Sequence, residues 1–128
     1  MPSADLFSLL GTVREMSFQT AKFTIQSLVR WSQEALTSLV VLHKGDETRG
    51  LITLQQHLTD GKVRFWVQQT DMNGLAQWRR RFEEDQEEAA ATDYIERERS
   101  RDEDLWVVVM DSSNGVLPPV LQQAKSDL

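Results

Sequence analysis

The chain opens on an amphipathic stripe. Leu6, Leu9, Leu10, Val13 and Met16 recur at three- and four-residue steps behind Ser3, which places them on one helical face with Ser3 as N-cap. The spacing predicts a helix from about Ala4 to Met16, weakened at Gly11. The next stretch supports two readings. Phe18, Ala21, Ile25, Leu28, Val29 and Leu36 share one helical face, but Phe23, Ile25, Val29 and Trp31 also alternate with polar neighbours as in a half-buried strand. The helical face holds over more positions and Ser17 can cap it. Helix from Ser17 to about Ala35 is therefore favoured, with strand as the alternative.

Period two then takes over. Ser38 to His43 is β-rich and runs into a turn cluster, Gly45-Asp46-Glu47, that closes at Gly50. Leu51 to Leu58 follows, and Asp60-Gly61 turns the chain into Val63-Arg64-Phe65-Trp66-Val67. Asp-Gly between alternating apolar runs is a strong hairpin signal. The three runs predict an antiparallel three-stranded meander with Val63, Phe65 and Val67 facing inward and Arg64, Trp66 and Gln68 facing outward. Asp71 or Asn73 then caps a predicted helix that carries Leu75, Trp78 and Phe82 at helical spacing. It continues through a charged middle to Ala91, Tyr94 and Ile95. Leu105 to Met110 is a near-continuous apolar strand of the kind buried on both faces. A turn over Asp111 to Gly115 and Pro118-Pro119 leads into a short helix from Val120 to about Ala124.

These elements predict one α+β domain over residues 1–128. A mainly antiparallel sheet, the meander plus a C-terminal strand, is covered by the N-terminal helices and a long charged helix. The element order is similar, in layout alone, to that of small acidic secretion chaperones of the type III class, and no motif extends the likeness. The length of 128 residues, with 40% hydrophobic and 27% charged positions, suits a single folded core. With no cysteine, disulfides, thiolate metal sites and cysteine nucleophiles are excluded. Met1 to Asp5 has no basic stretch of the signal-peptide kind, and no window is apolar enough to span a membrane. A cytoplasmic protein is expected.

Charge changes the picture further. The net charge is −6, but residues 1–70 hold seven Lys/Arg against six Asp/Glu, whereas residues 71–128 hold seven against fourteen. The second half thus carries −7, which repels phosphate backbones and argues against nucleic acid. Candidate chemistry is thin. His43 and His57 lie near the ends of adjacent predicted strands, but two ligands fall short of a zinc site. Asp111 sits where α/β enzymes keep a carboxylate, yet an ordinary Asx turn explains it better. No nucleophile triad, phosphate loop or cofactor motif is present.

The most distinctive segment is Trp78-Arg79-Arg80-Arg81-Phe82-Glu83-Glu84. On a helix each arginine finds an acidic residue four positions on, a self-neutralising face. Its bland reading is a solvated helix. Its functional reading is a partner-binding surface: Trp78 and Phe82 as anchors, Arg79, Arg80, Arg81, Glu83 and Glu84 as the charged rim, and Trp66 as an outward-facing addition. The chain is thus expected to be a non-catalytic protein-binding module, an adaptor, chaperone or assembly factor, without cofactor or metal. A basic protein or a second copy of the chain would be its partner. The alternative is an acidic inhibitor or immunity protein covering a basic site; a small enzyme built on Asp111 ranks third.

Overall fold

The computed structural model describes residues 20–111, 116–122 and 124–126. The helix expected over Ala4 to Met16, Ser17 as a cap and the turn at Ser112 to Gly115 lie outside these. The described chain runs α1 (Ala21–Glu34), β1 (Leu39–His43), β2 (Ile52–His57), β3 (Val63–Thr70), β4 (Ala76–Gln86), α2 (Glu88–Arg101), β5 (Trp106–Asp111), α3 (Pro119–Gln122) and a two-residue β6 (Lys125–Ser126). It is an α+β fold: a mixed, mostly antiparallel sheet with helices on both faces. No helix among the described residues is long and apolar enough to cross a membrane.

The ambiguous second segment is a helix. Thr20 caps it, its hydroxyl oxygen accepting from the Phe23 amide at 3.1 Å. Ala21, Ile25 and Leu28 are buried while Phe23 stands in solvent, which a strand alternation would not give. The helix ends in a Schellman arrangement: Leu36 N–H donates to Gln33 O and Thr37 N–H to Ser32 O. Leu36 occupies the left-handed position at φ 54°.

Two sequence expectations are corrected. First, the meander does not start at β1. The sheet order is β1-β5-β2-β3-β4-β6, so β5 separates β1 from β2, antiparallel to the former and parallel to the latter. Burial gives the reason. Val107, Val108 and Met110 are fully buried, and a strand apolar on both faces belongs at the sheet centre. β1, whose Val40 and Leu42 are half exposed, takes the edge. The loop from β1 to β2 must therefore pass the start of β5. It does so with Gly45 and Gly50 against the Asp104 carbonyl, where a Cβ at either would collide, and it is fixed by Asp46 N–H to Asp104 O and Trp106 Nε1 to Asp46 O.

Second, Ala76 to Gln86 is a strand, not the first half of a long helix. Asp71 closes a hairpin turn instead of capping a helix: its carboxylate accepts from the Asn73 and Leu75 amides, and Gly74 takes φ 81°. β3 pairs with β4 from Thr70↔Ala76 to Phe65↔Arg81, so the meander is β2-β3-β4. The charged helix is shortened to α2, and the likeness of layout to type III secretion chaperones ends at β4. The Asp60-Gly61 hairpin, by contrast, joins β2 to β3 as expected.

The sheet has a core on each face. Ile25 of α1 and Leu121 of α3 cover Ile52, Leu54, Trp66, Trp106 and Val108. On the other face Ala91, Tyr94 and Ile95 of α2 cover Val63, Phe65 and Val107.

Candidate functional site

Strand geometry divides the residues that the sequence grouped together. Residues paired across antiparallel strands share a face. Trp66↔Arg80 and Gln68↔Trp78 therefore put Trp78 and Arg80 on the α1 side, while Val67↔Arg79 and Phe65↔Arg81 put Arg79 and Arg81 on the α2 side. Trp66 is not an outward contact. It is 8% exposed, and its indole N–H donates to Gln56 Oε1 at 2.9 Å. Trp78 is partly buried against the same core. The helical Arg-to-acid pairing does not form, because β4 is extended. Arg79 instead donates to Gln69 Oε1 at 2.8 Å.

Beyond Arg81 the strand leaves the ladder. Arg64 alone on β3 faces four residues of β4, Phe82 to Asp85, before pairing resumes at Val63↔Gln86. Phe82 stands at φ 71°, a left-handed conformation that costs a bulky residue energy. The bulge is tied at its far end. Arg64 grips Asp85 through Nε at 2.7 Å and Nη2 at 3.0 Å, and Arg80 Nη2 reaches the same carboxylate at 3.1 Å and the Glu83 carbonyl at 3.2 Å. The hydrogen-bonded Arg64 guanidinium, with Arg80 adding its charge, holds the Asp85 carboxyl below its ordinary value against some desolvation. Arg80 Nε is buried without a hydrogen-bond partner.

Turned by that backbone, Phe82 packs edge-on to Phe65 and Tyr94, with centroids 6.0 and 5.0 Å away, and Arg81 lies 4.3 Å over its ring. Burial above all, and Glu98 beside it, pushes the Tyr94 hydroxyl up to about 12. Glu83 and Glu84 stay exposed at the tip of the bulge. Between bulge and α2 lies an open cleft of about 690 Å³ lined by Phe82, Gln86, Ala90, Asp93, Tyr94 and Arg97 among others.

A second groove, of about 340 Å³, lies on the other side of α2, above β1, β5 and β2. His43 and His57 both line it, but not as a pair. His43 is level with Val107 and His57 with Asp111, two strands and four residues apart, which strand dimensions make roughly 16 Å. Among the described residues no three His, Cys, Asp or Glu side chains are placed to hold a metal ion. Gln55, which also lines this groove, was not singled out from sequence. Its signal was the run Thr53, Gln55, His57, a polar stripe on a strand whose other face is Ile52 and Leu54.

A family model described as a protein of unknown function, DUF1491, matches residues 20–118. The chain is also similar to solved structures. A crystal structure of a DUF1491 family protein from Caulobacter crescentus is 21% identical with a TM-score of 0.69, over 85% of this chain and 99% of that one. An NMR structure of a DUF1491 family protein from the same organism is 20% identical with a TM-score of 0.71, over 87% and 98%. A protein of A. tumefaciens solved in solution is 24% identical with a TM-score of 0.68, over 81% and 92%. At these identities the likeness is one of fold. No curated protein matches the chain.

Proposed function

We propose that this chain, which belongs to the DUF1491 family of unknown function, is a non-catalytic protein-binding module, an adaptor, chaperone or assembly factor, that engages a basic partner protein through the β4 bulge. One observation carries this reading: Phe82 is held in the left-handed region inside a bulge locked by the Arg64–Asp85–Arg80 cluster. Such a conformation costs roughly 1–3 kcal/mol and tends to persist where the resulting shape is used. The shape it supports is a tab with two free-standing carboxylates, Glu83 and Glu84, in front of an aromatic and arginine cleft. Carboxylates at a rim steer a basic partner, and the ring behind them offers an anchor.

The acidic second half favours the same partner chemistry. In the inhibitor reading the partner's basic patch would be an active site. The lack of cysteine fits the reducing cytoplasm, where we place the protein. Crosslinked affinity capture with the wild-type chain and the E83K/E84K variant tests the proposal, alongside sedimentation of the chain alone. The wild type should capture a basic protein, more weakly as salt rises from about 0.05 to about 0.5 M, and the variant should not. Capture insensitive to both salt and charge reversal, or no capture at all, would end the reading; self-association lost in the variant would make a second copy the partner.

A further inference from the structure

Gln55 is an unusual residue to find in the middle of a sheet. It is 92% buried, being 8% exposed, between Phe65 on β3 and Val109 on β5, and its side chain makes no hydrogen bond among the described residues. A buried amide without partners costs about 1–3 kcal/mol. Among the described residues, however, the fully enclosed side-chain atom without a partner is Arg80 Nε, and neither polar atom of Gln55 is so enclosed. Its amide head therefore meets solvent, and the space it meets is the groove it lines between α2 and the β1–β5–β2 strands.

The chemistry around that amide selects a ligand class. Leu42, Val109 and Ile95 give the groove apolar surface. His43 lines it from β1 and His57 from β2, and the α2 wall carries Arg99 together with Glu88 and Glu96. Charges of both signs on one wall, with no cationic focus, suit neither a phosphate nor a carboxylate. A carboxamide presents one donor and one acceptor side by side, and its full complement is a group that also presents both. A peptide main chain does so at each residue. The volume of about 340 Å³ falls within the range of small-ligand sites.

We propose that this groove binds a short extended peptide segment, with its main-chain amide paired to Gln55 and an apolar side chain seated between Leu42 and Ile95. The site uses none of the β4 bulge residues and stands or falls separately from them.

The probe is N-acetyl-leucine N-methylamide, titrated into the uniformly ¹⁵N-labelled chain and followed by NMR, with sodium acetate and inorganic phosphate as separate arms. The amide probe should shift the Gln55 side-chain NH₂ and the backbone amides of Val109 and Ile95 saturably. Q55L should weaken its binding about fivefold, the loss of one hydrogen bond, with native dispersion retained. Q55E, which keeps the shape but removes the donor, should also weaken it, which covers the case of a poorly folded Q55L. Saturable shifts of these signals by acetate or phosphate instead of the amide would overturn the proposal in favour of an anion site. Absence of shifts with any probe, or binding unchanged in both variants, would overturn it outright.

Discussion

Leu36 bears the cost of ending α1. It sits at φ 54°, where a side chain costs roughly 1–2 kcal/mol that glycine avoids, and at 90% exposure it has almost no packing to lose. Leu36→Gly gives back part of that gain through the greater entropy of the unfolded chain, about 0.4–1 kcal/mol. The variant should be more stable by roughly 0.5 kcal/mol in urea denaturation, and destabilisation would show that the leucine is packed against something. Asp85 presents the opposite case. Two arginines converge on a carboxylate whose side chain is 19% exposed, so Asp85→Asn leaves partly buried guanidinium groups without their counter-charge and should cost about 1–2 kcal/mol at pH 7. Because Asp85 is held below its ordinary value in the folded state, its contribution is fully present above the ordinary carboxyl range near pH 4. It is lost as pH falls through the depressed value. The stability gap between wild type and D85N, followed by denaturation at successive pH values, should therefore narrow steadily below about pH 4. A gap independent of pH would mean that the asparagine acts through shape.

β4 shows at the scale of the element how sequence and structure part company. Arginine and glutamate are good helix formers, and Trp78 and Phe82 stand four apart, so local preference pointed to helix. Pairing with β3 overrode it, because the outer backbone N–H and C=O groups of β3 need a ladder partner, which β4 supplies. The local clue is Asn73-Gly74, a hairpin signal of the same kind as Asp60-Gly61, which competes with the helix cap that Asp71 or Asn73 offers on the same residues. The β2–β3 hairpin, the helix before β1 and the doubly buried β5 were legible because each pattern was long or carried a turn signature. Strand order was not, since nothing local states that β5 will enter between β1 and β2. The site was legible in part for the same reason: Phe82, Glu83 and Glu84 were marked by composition, whereas Gln55 acquires meaning only once α2 lies over it. The inserted strand does leave a local demand, at Gly45. Gly45→Ala drives a methyl into the Asp104 carbonyl and should cost about 1–3 kcal/mol, the usual range for overpacking. A melting temperature equal to wild type would show that the crossing loop is freer than its hydrogen bonds to β5 imply.

For the whole molecule, α2 acts as a divider. It packs on the sheet through Ala91, Tyr94 and Ile95 and leaves a cleft on each side, one bounded by the β4 bulge and the other by β1, β5 and β2. The two differ in chemistry. The bulge side offers exposed carboxylates and an arginine-covered ring, so a ligand there feels the field of the −7 half and is screened by salt within about 10 Å. The Gln55 side offers a neutral amide over apolar surface, where binding rests on one hydrogen bond and excluded water. β3 also lies between Gln55 on β2 and β4, which keeps the two sites roughly 10 Å apart in the sheet, a separation at which effects of substitutions usually add. The E83K/E84K change should therefore abolish capture of a basic partner while leaving the affinity for N-acetyl-leucine N-methylamide within about twofold of wild type, and Q55L should do the reverse. Raising ionic strength should reproduce the first pattern without any substitution. Should E83K/E84K weaken the amide probe as strongly as Q55L does, the two clefts would be coupled through α2, and the helix would be a movable element instead of a fixed wall.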